Sequence, residues 1–325
     1  MSERYLGVDI GGTKVAAAVV DAGGRILGAV KVPSRQPGVP VLDVIWAGME
    51  KGLAAAGCSW EEIRAVGIGA PGPVEPGEGL WWGSTNLAVE NPPVPLGAAI
   101  RARSGRPVFA ENDVKAAGLG EFHFGCGKEL GDAPGGLLFI SVGTGLAASL
   151  LVGGRLFRGR QGAGEIGHIP VEPGGHPCGC GNRGCLETVA AGRALARWGR
   201  EVVEAGWSPR LLAACGNDPA ALHGGHVMQA AQEGDEAAAG LVLRLARGIA
   251  LAIVIGLRAY DPAVVVLGGG VIAGGGAYLW ERVQEAFAAL APRFSKGKPV
   301  RVSALGEHAG VLGAAAVALA GMQEV

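Results

Sequence analysis

The chain has 325 residues, 49% of them hydrophobic and 18% charged, a composition typical of a globular protein large enough for two buried cores. Its 28 basic and 29 acidic residues nearly cancel and form no basic stripe, which argues against nucleic acid as its main partner. No export signal is visible, and the longest apolar stretches are too short to span a bilayer, so we expect a cytoplasmic protein without a membrane partner.

Short apolar runs separated by glycine turns predict strands in the first third of the chain, and longer periodic stretches predict helices. The predicted strands are Leu6–Ile10, Val15–Val20, Arg25–Val32, Ala65–Gly69 and Val108–Ala110, and the predicted helices are Val41–Ala56 and Val114–Phe122. The proline- and glycine-rich segment 71–95 predicts a loop region, the part of a fold that often carries binding residues.

Further along, the pattern is mainly helical. The predicted helices are Thr188–Glu204, Ala237–Leu257, Tyr278–Leu290 and Gly310–Ala320, and a strand at Val264–Leu267 precedes the glycines Gly268–Gly270. The apolar stretches 248–257 and 310–321 are expected to form buried helices. The alanine-rich last helix is expected to pack back onto the first part of the chain.

An internal repeat links the two halves of the chain. The segment Asp9–Ala18, followed by Gly-Gly-Arg at 23–25, is echoed by Ser141–Ala148, followed by Gly-Gly-Arg at 153–155. Both copies predict strand, glycine turn, strand, hairpin and strand, although glycine-rich hairpins also resemble one another by chance. A repeat of this size suggests duplication of one α/β unit, giving two similar lobes with a cleft between them.

Three glycine turns are candidates for phosphate binding. The first holds five residues that matter here, Asp9, Gly11, Gly12, Thr13 and Lys14; the second holds Gly143, Thr144 and Gly145; the third is centred on Gly269. Their backbone amides can form anion-binding nests, and Asp9 can reach Mg²⁺ through water, since Mg²⁺ keeps much of its hydration shell. Each turn alone is also consistent with a plain hairpin. Neither a P-loop nor a Rossmann motif is present, so a nucleotide held between two lobes fits better.

Asp113 ends the tripeptide Glu111-Asn112-Asp113, which follows a predicted strand and opens a predicted helix. Spacing alone predicts that Asp113 caps this helix, since Asn and Asp are favoured at that position. The helix dipole would also keep a carboxylate ionised there. Asp113 is therefore also a candidate general base that accepts a hydroxyl proton.

His168, Cys178, Cys180 and Cys185 form the most specific local pattern in the sequence. One imidazole and three thiolates complete a tetrahedral zinc site without an open position, so that the zinc would be structural. Cys178 and Cys180 are too close to pair comfortably, although a labile disulfide or idle buried thiols remain alternatives.

Two carboxylates flank this cluster. Glu165 lies three residues before His168, and Glu187 lies two residues after Cys185. A zinc ion would fix both near one point, where they can accept hydrogen bonds from hydroxyl groups. Without the cluster, both would be interpreted as solvated surface acids.

These motifs resemble those of the ROK family of repressors and sugar kinases, and within it the bacterial glucokinases. The resemblance covers nearly the whole chain and rests on Asp9–Lys14, Gly69–Pro73, Glu111–Asp113, Gly143–Gly145, Gly164–His168 and Cys178–Glu187. It implies an α/β, two-lobed actin-like ATPase (ribonuclease H-like) fold with duplicated domains. We expect one lobe to contain residues 1–113 and 307–325, and a larger lobe with the zinc motif to contain residues 114–306.

The resemblance also implies ATP, Mg²⁺ and a structural Zn²⁺, with Asp113 as the catalytic base. The sugar contacts it implies are Asn86, Asn112, Asp113, Glu165, His168 and Glu187. His168 would serve zinc and sugar through different ring nitrogens. Relatives commonly form dimers or tetramers, so a homo-oligomer is expected here.

The activity expected from the resemblance is ATP-dependent phosphorylation of the 6-hydroxyl of glucose. The alternatives are a kinase for N-acetylglucosamine, N-acetylmannosamine, mannose or fructose, a donor such as polyphosphate, and a non-catalytic sugar-sensing regulator. The regulator is disfavoured because only a few residues precede Leu6, too few for a helix-turn-helix.

Two departures from the family pattern bear on the sites. Ala147 and Ala148 stand where glycines usually follow the second phosphate loop, and are expected to crowd the nucleotide slightly. The pair Trp81-Trp82 is unusual, and core packing, the sugar site and a subunit interface are all open to it.

Overall fold

The computed structural model describes residues 2–84, 87–131, 134–160, 162–291, 297 and 299–324. The chain forms two compact units. The first contains Met1–Asp132, Leu151–Leu156 and Ser303–Val325, and the second contains Ala133–Leu150 and Phe157–Val302. The lobe boundaries predicted from the sequence stay a prediction.

A five-stranded sheet forms the centre of the first unit, in the order β3-β2-β1-β4-β8. The strands of this region are β1 (Arg4–Ile10), β2 (Lys14–Asp21), β3 (Ile26–Pro33), β4 (Ile63–Ala70), β5 (Val74–Glu75), β6 (Leu80–Trp81), β7 (Val94–Pro95) and β8 (Val108–Asn112). β1, β2 and β3 pair antiparallel, whereas β4 and β8 continue the sheet in parallel with β1. The carboxyl ends of β1 and β8 therefore lie at the same edge, which is where Asp9 and Asn112 stand.

The helices described in this unit are α1 (Val41–Ala56), α2 (Leu96–Ser104), α3 (Asp113–Phe124) and α10 (Ala309–Glu324). The last helix packs on the first sheet, as predicted from its alanine-rich sequence. Its close approach depends on glycines in the strands: a Cβ on Gly7 would overlap the carbonyl oxygen of Val311, and one on Gly67 would overlap that of Ala314.

Replacing Gly7 with alanine is expected to destabilise the protein by about 1–3 kcal/mol, because the added methyl overlaps backbone that cannot move aside easily. Denaturant unfolding would measure this loss. The control is Gly240→Ala, on an exposed face of helix Glu236–Tyr260 where a Cβ meets nothing; it should be neutral or slightly stabilising. Equal stability of the two variants would contradict the packing described here.

A second five-stranded sheet has the order β11-β10-β9-β12-β13. Its strands are β9 (Leu137–Val142), β10 (Leu146–Val152), β11 (Arg155–Leu156), β12 (Val264–Gly268) and β13 (Val300–Val302). The order repeats that of the first sheet position by position, with β12 parallel to both β9 and β13 as β4 is to β1 and β8. This correspondence supports the duplication inferred from the sequence.

The helices of the second unit are α4 (Glu187–Ala190), α5 (Gly192–Glu204), α6 (Pro209–Ala214), α7 (Gly224–Gln232), α8 (Glu236–Tyr260) and α9 (Gly270–Leu290). Among the described residues, α8 alone is long and apolar enough to cross a membrane by length and composition. Its side chains Val242, Ile249 and Ile253 are fully buried in the core of the unit. We interpret α8 as a core helix, as expected for the stretch 248–257.

Three predicted elements differ from the structure. The loop region 71–95 contains the short strands β5, β6 and β7, which form a separate three-stranded sheet. The helix predicted at Thr188–Glu204 is interrupted at Ala191, whose φ of −130° is extended. The helix predicted at Tyr278–Leu290 begins earlier, at Gly270, and is broken at Gly276, where φ is 51° and ψ is −146°.

Candidate functional site

The first glycine turn connects β1 to β2. Within it, the amide of Gly11 donates to the carbonyl oxygen of Lys14 at 2.9 Å. Asp9, near the end of β1, is partly buried, and a Cβ on Gly310, in the first turn of α10, would overlap its carboxylate. Burial raises the pKa of Asp9, and the Lys14 ammonium partly offsets this effect. A carboxylate packed against a helix N-terminus beside a glycine turn is a suitable place for a hydrated cation and phosphate oxygens.

Asn112 is the N-cap of α3, and Asp113 is its first helical residue. The side-chain oxygen of Asn112 accepts from the amides of Val114 at 3.0 Å and Lys115 at 3.3 Å. The side-chain nitrogen Nδ2 of Asn112 donates to the carbonyl oxygen of Gly72 at 3.2 Å. The prediction that Asp113 caps the helix was therefore wrong. The amide of Val114 also donates to Oδ1 of Asp113 at 2.9 Å, so the two neighbouring side chains share this donor.

The environment of Asp113 makes it an effective proton acceptor near neutral pH. Burial, together with the nearby Asp9 carboxylate, raises its pKa to about 6, and the hydrogen bonds from Val114 and Asn112 only partly offset this. A general base works best when its pKa lies near the working pH. The sequence suggested Asp113 as a base. The carboxylate beside it, that of Asp9, lies on β1, far away in the chain.

The second glycine turn connects β9 to β10, and the amide of Gly143 donates to Gly145 at 2.9 Å. The start of α5 is hydrogen-bonded to this turn: the amide of Gly192 donates to Gly143 at 2.8 Å, and that of Arg193 to Thr144 at 3.3 Å. Gly269, at the start of α9, has φ of 93°, and a Cβ there would strike the backbone of Val142. The second and third predicted phosphate loops therefore lie close together.

A cavity of about 600 Å³ opens beside these two turns in the second unit. It is lined by Gly143, Thr144, Gly192, Arg193, Leu195, Ala196, His223, Gly224, Gly225, Met228, Gln229, Gln232, Gly270, Val271, Gly274 and Gly275. A volume within the usual range for ligand sites, with glycine turns at one end, suits a nucleotide. The residues from α5 and α7 were not predicted from the sequence, where their only signal was glycine at the helix starts, Gly192 in α5 and the pair Gly224-Gly225 in α7.

Ala147 and Ala148 are absent from this lining as far as the structure describes it. Ala148 is buried in the core, and its amide donates to Gly164 at 2.7 Å. The expectation that these alanines crowd the nucleotide stays a prediction.

His168, Cys178, Cys180 and Cys185 converge in the second unit, with one potential ligand atom of each within 4.8 Å of all the others. Nδ1 of His168 lies 3.4 Å from Sγ of Cys178, and Sγ of Cys180 lies 3.7 Å from that of Cys185. A tetrahedral zinc site with ordinary bond lengths has sulfur–sulfur edges of about 3.8 Å and nitrogen–sulfur edges of about 3.6 Å. The four side chains thus fit a zinc ion.

The flanking carboxylates take different positions. Glu165 lies on the other side of the imidazole from the thiols, with Oε2 3.8 Å from Nε2 of His168. Nδ1 is thus the nitrogen that faces the cluster, and Nε2 faces Glu165. The expectation that the two nitrogens serve zinc and sugar separately stays a prediction. Glu187 begins α4 and accepts from the amide of Leu146 at 3.0 Å, and a Cβ on Gly145 would overlap it. Glu187 is therefore held beside the second glycine turn.

Two other predicted features lie near segment 71–95. Asn86 is outside the described residues. Trp81 is fully buried in the core of the first unit and its indole nitrogen donates to the carbonyl oxygen of Pro71 at 2.9 Å, whereas Trp82 is 42% exposed. Of the roles considered for the pair, core packing applies to Trp81.

The known proteins that are similar to this chain in sequence come from one family. The sequence profile of the ROK family matches residues 5–320. A glucokinase of Streptomyces coelicolor is 39% identical over 272 residues, which cover 82% of this chain and 81% of that protein. A glucokinase of Thermotoga maritima is 33% identical over 315 residues, which cover 97% of this chain and 96% of that protein.

The same holds for structure. The crystal structure of a ROK family glucokinase from Streptomyces griseus in complex with glucose and AMPPNP aligns with a TM-score of 0.81 and 35% identity, covering 98% of this chain and 99% of that one. The actin-like ATPase fold predicted from the sequence is thereby confirmed.

Proposed function

This chain belongs to the ROK family, and we propose that it is a glucokinase, which transfers the γ-phosphoryl group of ATP to the 6-hydroxyl of glucose. Its similarity to glucokinases over most of its length supports a sugar kinase. The observation that carries the proposal is Asp113: a partly buried carboxylate at a helix start, with a pKa raised to about 6 and its neighbour Asn112 taking the capping role. Such a group can accept the hydroxyl proton as the phosphoryl group is transferred.

For the nucleotide, we propose two sets of contacts. In the first unit, Gly11, Gly12, Thr13 and Lys14 bind phosphate oxygens, and Asp9 holds Mg²⁺ through water. In the second unit, Gly143, Thr144, Gly145 and Gly269 bind phosphate, and the adjoining cavity receives the nucleoside. Bound Mg²⁺ neutralises charge on the transferred phosphoryl group.

For the sugar, we propose contacts from Asn86, Asn112 and Asp113 in the first unit, and from Glu165, His168 and Glu187 in the second. His168 would bind zinc through Nδ1, which faces Cys178, and a sugar hydroxyl through Nε2. His168, Cys178, Cys180 and Cys185 would together form a structural zinc site. The metal would hold the imidazole ring of His168 and the cysteine loop in position.

Glucose phosphorylation is expected to rise with pH through an apparent pKa of about 6. Asp113 is protonated and inactive as a base below this value, and ionised above it. The value of kcat/KM should therefore fall about tenfold per pH unit below pH 5.5 and be flat from pH 7 to 8. Steady-state rates between pH 4.5 and 8, with stability checked at each end, would measure it. An inflection near pH 4 would contradict the raised pKa.

Release of ADP with Mg-ATP against a panel of hexoses tests the substrate. Strong activity on glucose with little on N-acetylhexosamines is the expected result. Activity confined to N-acetylglucosamine, N-acetylmannosamine, mannose or fructose would keep the kinase and replace its substrate. No activity on any sugar with ATP or polyphosphate would refute the proposal and favour a sugar-binding role.

We also propose a cytoplasmic location and a homodimer or homotetramer. Both follow from the resemblance to glucokinases, and sedimentation of the purified protein would measure the second.

A further inference from the structure

One end of the cavity in the second unit holds the exposed side chain of Gln232, whose amide group can distinguish purine bases. Gln232, the last residue of α7, lines this cavity together with Gly275 of α9. Its Nε2 donates to the carbonyl oxygen of Gly275 at 3.4 Å. A carbonyl oxygen can only accept, so the amide must turn its NH₂ group toward Gly275, and the side-chain orientation is settled by its partner.

The break in α9 explains why this carbonyl takes a side-chain donor. Gly276 has φ of 51° and ψ of −146°, which interrupts the regular helical hydrogen bonding just after Gly275. Gly274 lines the cavity, and a Cβ there would meet nothing within 4 Å, so the wall is open at this point. The broken turn therefore anchors the amide of Gln232 and leaves its Oε1 as an acceptor for a ligand.

The cavity is long enough to place a base at this end. Gly143 and Thr144 form its phosphate-turn end, and the start of α7 lies nearby, since a Cβ on Gly224 would approach the carbonyl oxygen of Gly192 at 3.1 Å. Gln232 is eight residues further along α7, roughly 12 Å away at the rise of an α-helix. A nucleotide with its phosphates at the turns therefore directs its base toward Gln232 and Gly275.

We propose that Gln232, held by the broken turn of α9, selects adenine over 6-oxopurines in the nucleotide site. Adenine carries an amino group at position 6 that donates to Oε1. Guanine and hypoxanthine carry a carbonyl there, so that two acceptors would face each other and one hydrogen bond would be lost. This inference rests on the proposed function only in assigning the cavity to a nucleotide.

Calorimetric titration with Mg-ADP and Mg-IDP tests the selection, because these nucleotides differ only in the substituent at position 6 of the base and in the proton that the 6-oxo form carries on N1. The wild-type protein is expected to bind ADP about tenfold more tightly than IDP, the difference that a hydrogen bond lost at a partly exposed site produces. Gln232→Met should bring the two affinities within about twofold, mainly by weakening ADP. Gln232→Lys, which replaces the acceptor with a donor, should favour IDP.

Two variants make the result specific. Gln284→Met carries the same change on α9, at an exposed position outside this cavity, and should keep the wild-type ratio. Gln229 also lines the cavity, but its Nε2 donates to the carboxylate of Glu233, the residue that follows α7, at 2.9 Å. If Gln229→Met abolishes the discrimination and Gln232→Met does not, or if wild-type protein binds ADP and IDP equally, the inference is overturned.

Kinase assays separate this inference from the proposed function. A protein that prefers ADP through Gln232 but phosphorylates no hexose supports the inference and refutes the glucokinase. A protein that phosphorylates glucose with equal KM for ATP and ITP does the reverse. In the expected case, Gln232→Met raises KM for ATP with little change in kcat, because the base contact is the same before and during phosphoryl transfer.

Discussion

Asp113→Asn is expected to lower kcat for glucose phosphorylation by about 10²–10⁴-fold, the usual contribution of a general base. The amide has nearly the same shape as the carboxylic acid, so the start of α3 should stay folded, but it cannot take up the hydroxyl proton. Glucose binding, measured by calorimetry, should change much less than the rate, because the sugar contacts that we propose for Asn112 and Glu165 do not depend on the Asp113 carboxylate. The rise of activity through pH 6 should disappear from any residual rate.

Asp43→Asn is the matched control for this experiment. Asp43 is a partly exposed carboxylate on α1 of the same unit, paired with Arg103 at 2.9 Å. Its replacement should leave kcat near the wild-type value, since exposed ion pairs contribute little to stability. Turnover of the Asp113 variant within threefold of wild type would remove Asp113 as the base, and a different proton acceptor would have to be sought.

Cys180→Ser is expected to release the zinc ion that we propose for the cluster, and with it to weaken glucose binding by about tenfold or more. Three remaining ligands bind zinc far more weakly than four, and the metal orients the ring of His168, which we propose as a sugar ligand. Cys180 is exposed, so its replacement tests the metal with little loss of packing. The zinc content measured after dialysis should fall from about one ion per chain in the wild-type protein to a small fraction of that in the variant.

Cys215→Ser provides the comparison. Cys215 is a buried thiol of the same unit outside the cluster, and its Sγ donates to the carbonyl oxygen of Leu212 at 3.1 Å, a bond that a serine hydroxyl can reproduce. This variant should keep both zinc and glucose affinity. Wild-type protein purified without any zinc would contradict the cluster assignment, whatever the variants do.

The site itself was only partly predictable. The amino-acid sequence identified Asp113 but assigned it to the helix cap, because Asn and Asp have similar preferences at helix starts. Which of two adjacent residues takes the cap depends on the backbone angle at the strand–helix junction, and Asn112 is held there by Gly72, forty residues earlier. The spacing of residues 111–113 alone does not indicate the contact with Gly72.

Several features of this protein were determined by the sequence alone. The four proposed zinc ligands stand within 18 residues of one another, the glycine turns follow apolar strands directly, and the Gly-Gly-Arg hairpin appears in both copies of the repeat. These are short-range patterns, and short-range geometry suffices to bring such groups together.

Only the tertiary structure decided the rest. Three contacts bring together residues that are far apart in the chain. They are the proximity of the Asp9 and Asp113 carboxylates, the packing of α10 on Gly7 and Gly67, and the hydrogen bond from Gln232 to Gly275. Each depends on which strands lie side by side and where a helix breaks, and both are settled by the packing of whole elements. The chemical groups could be recognised in the sequence, whereas their pKa values, orientations and neighbours could not.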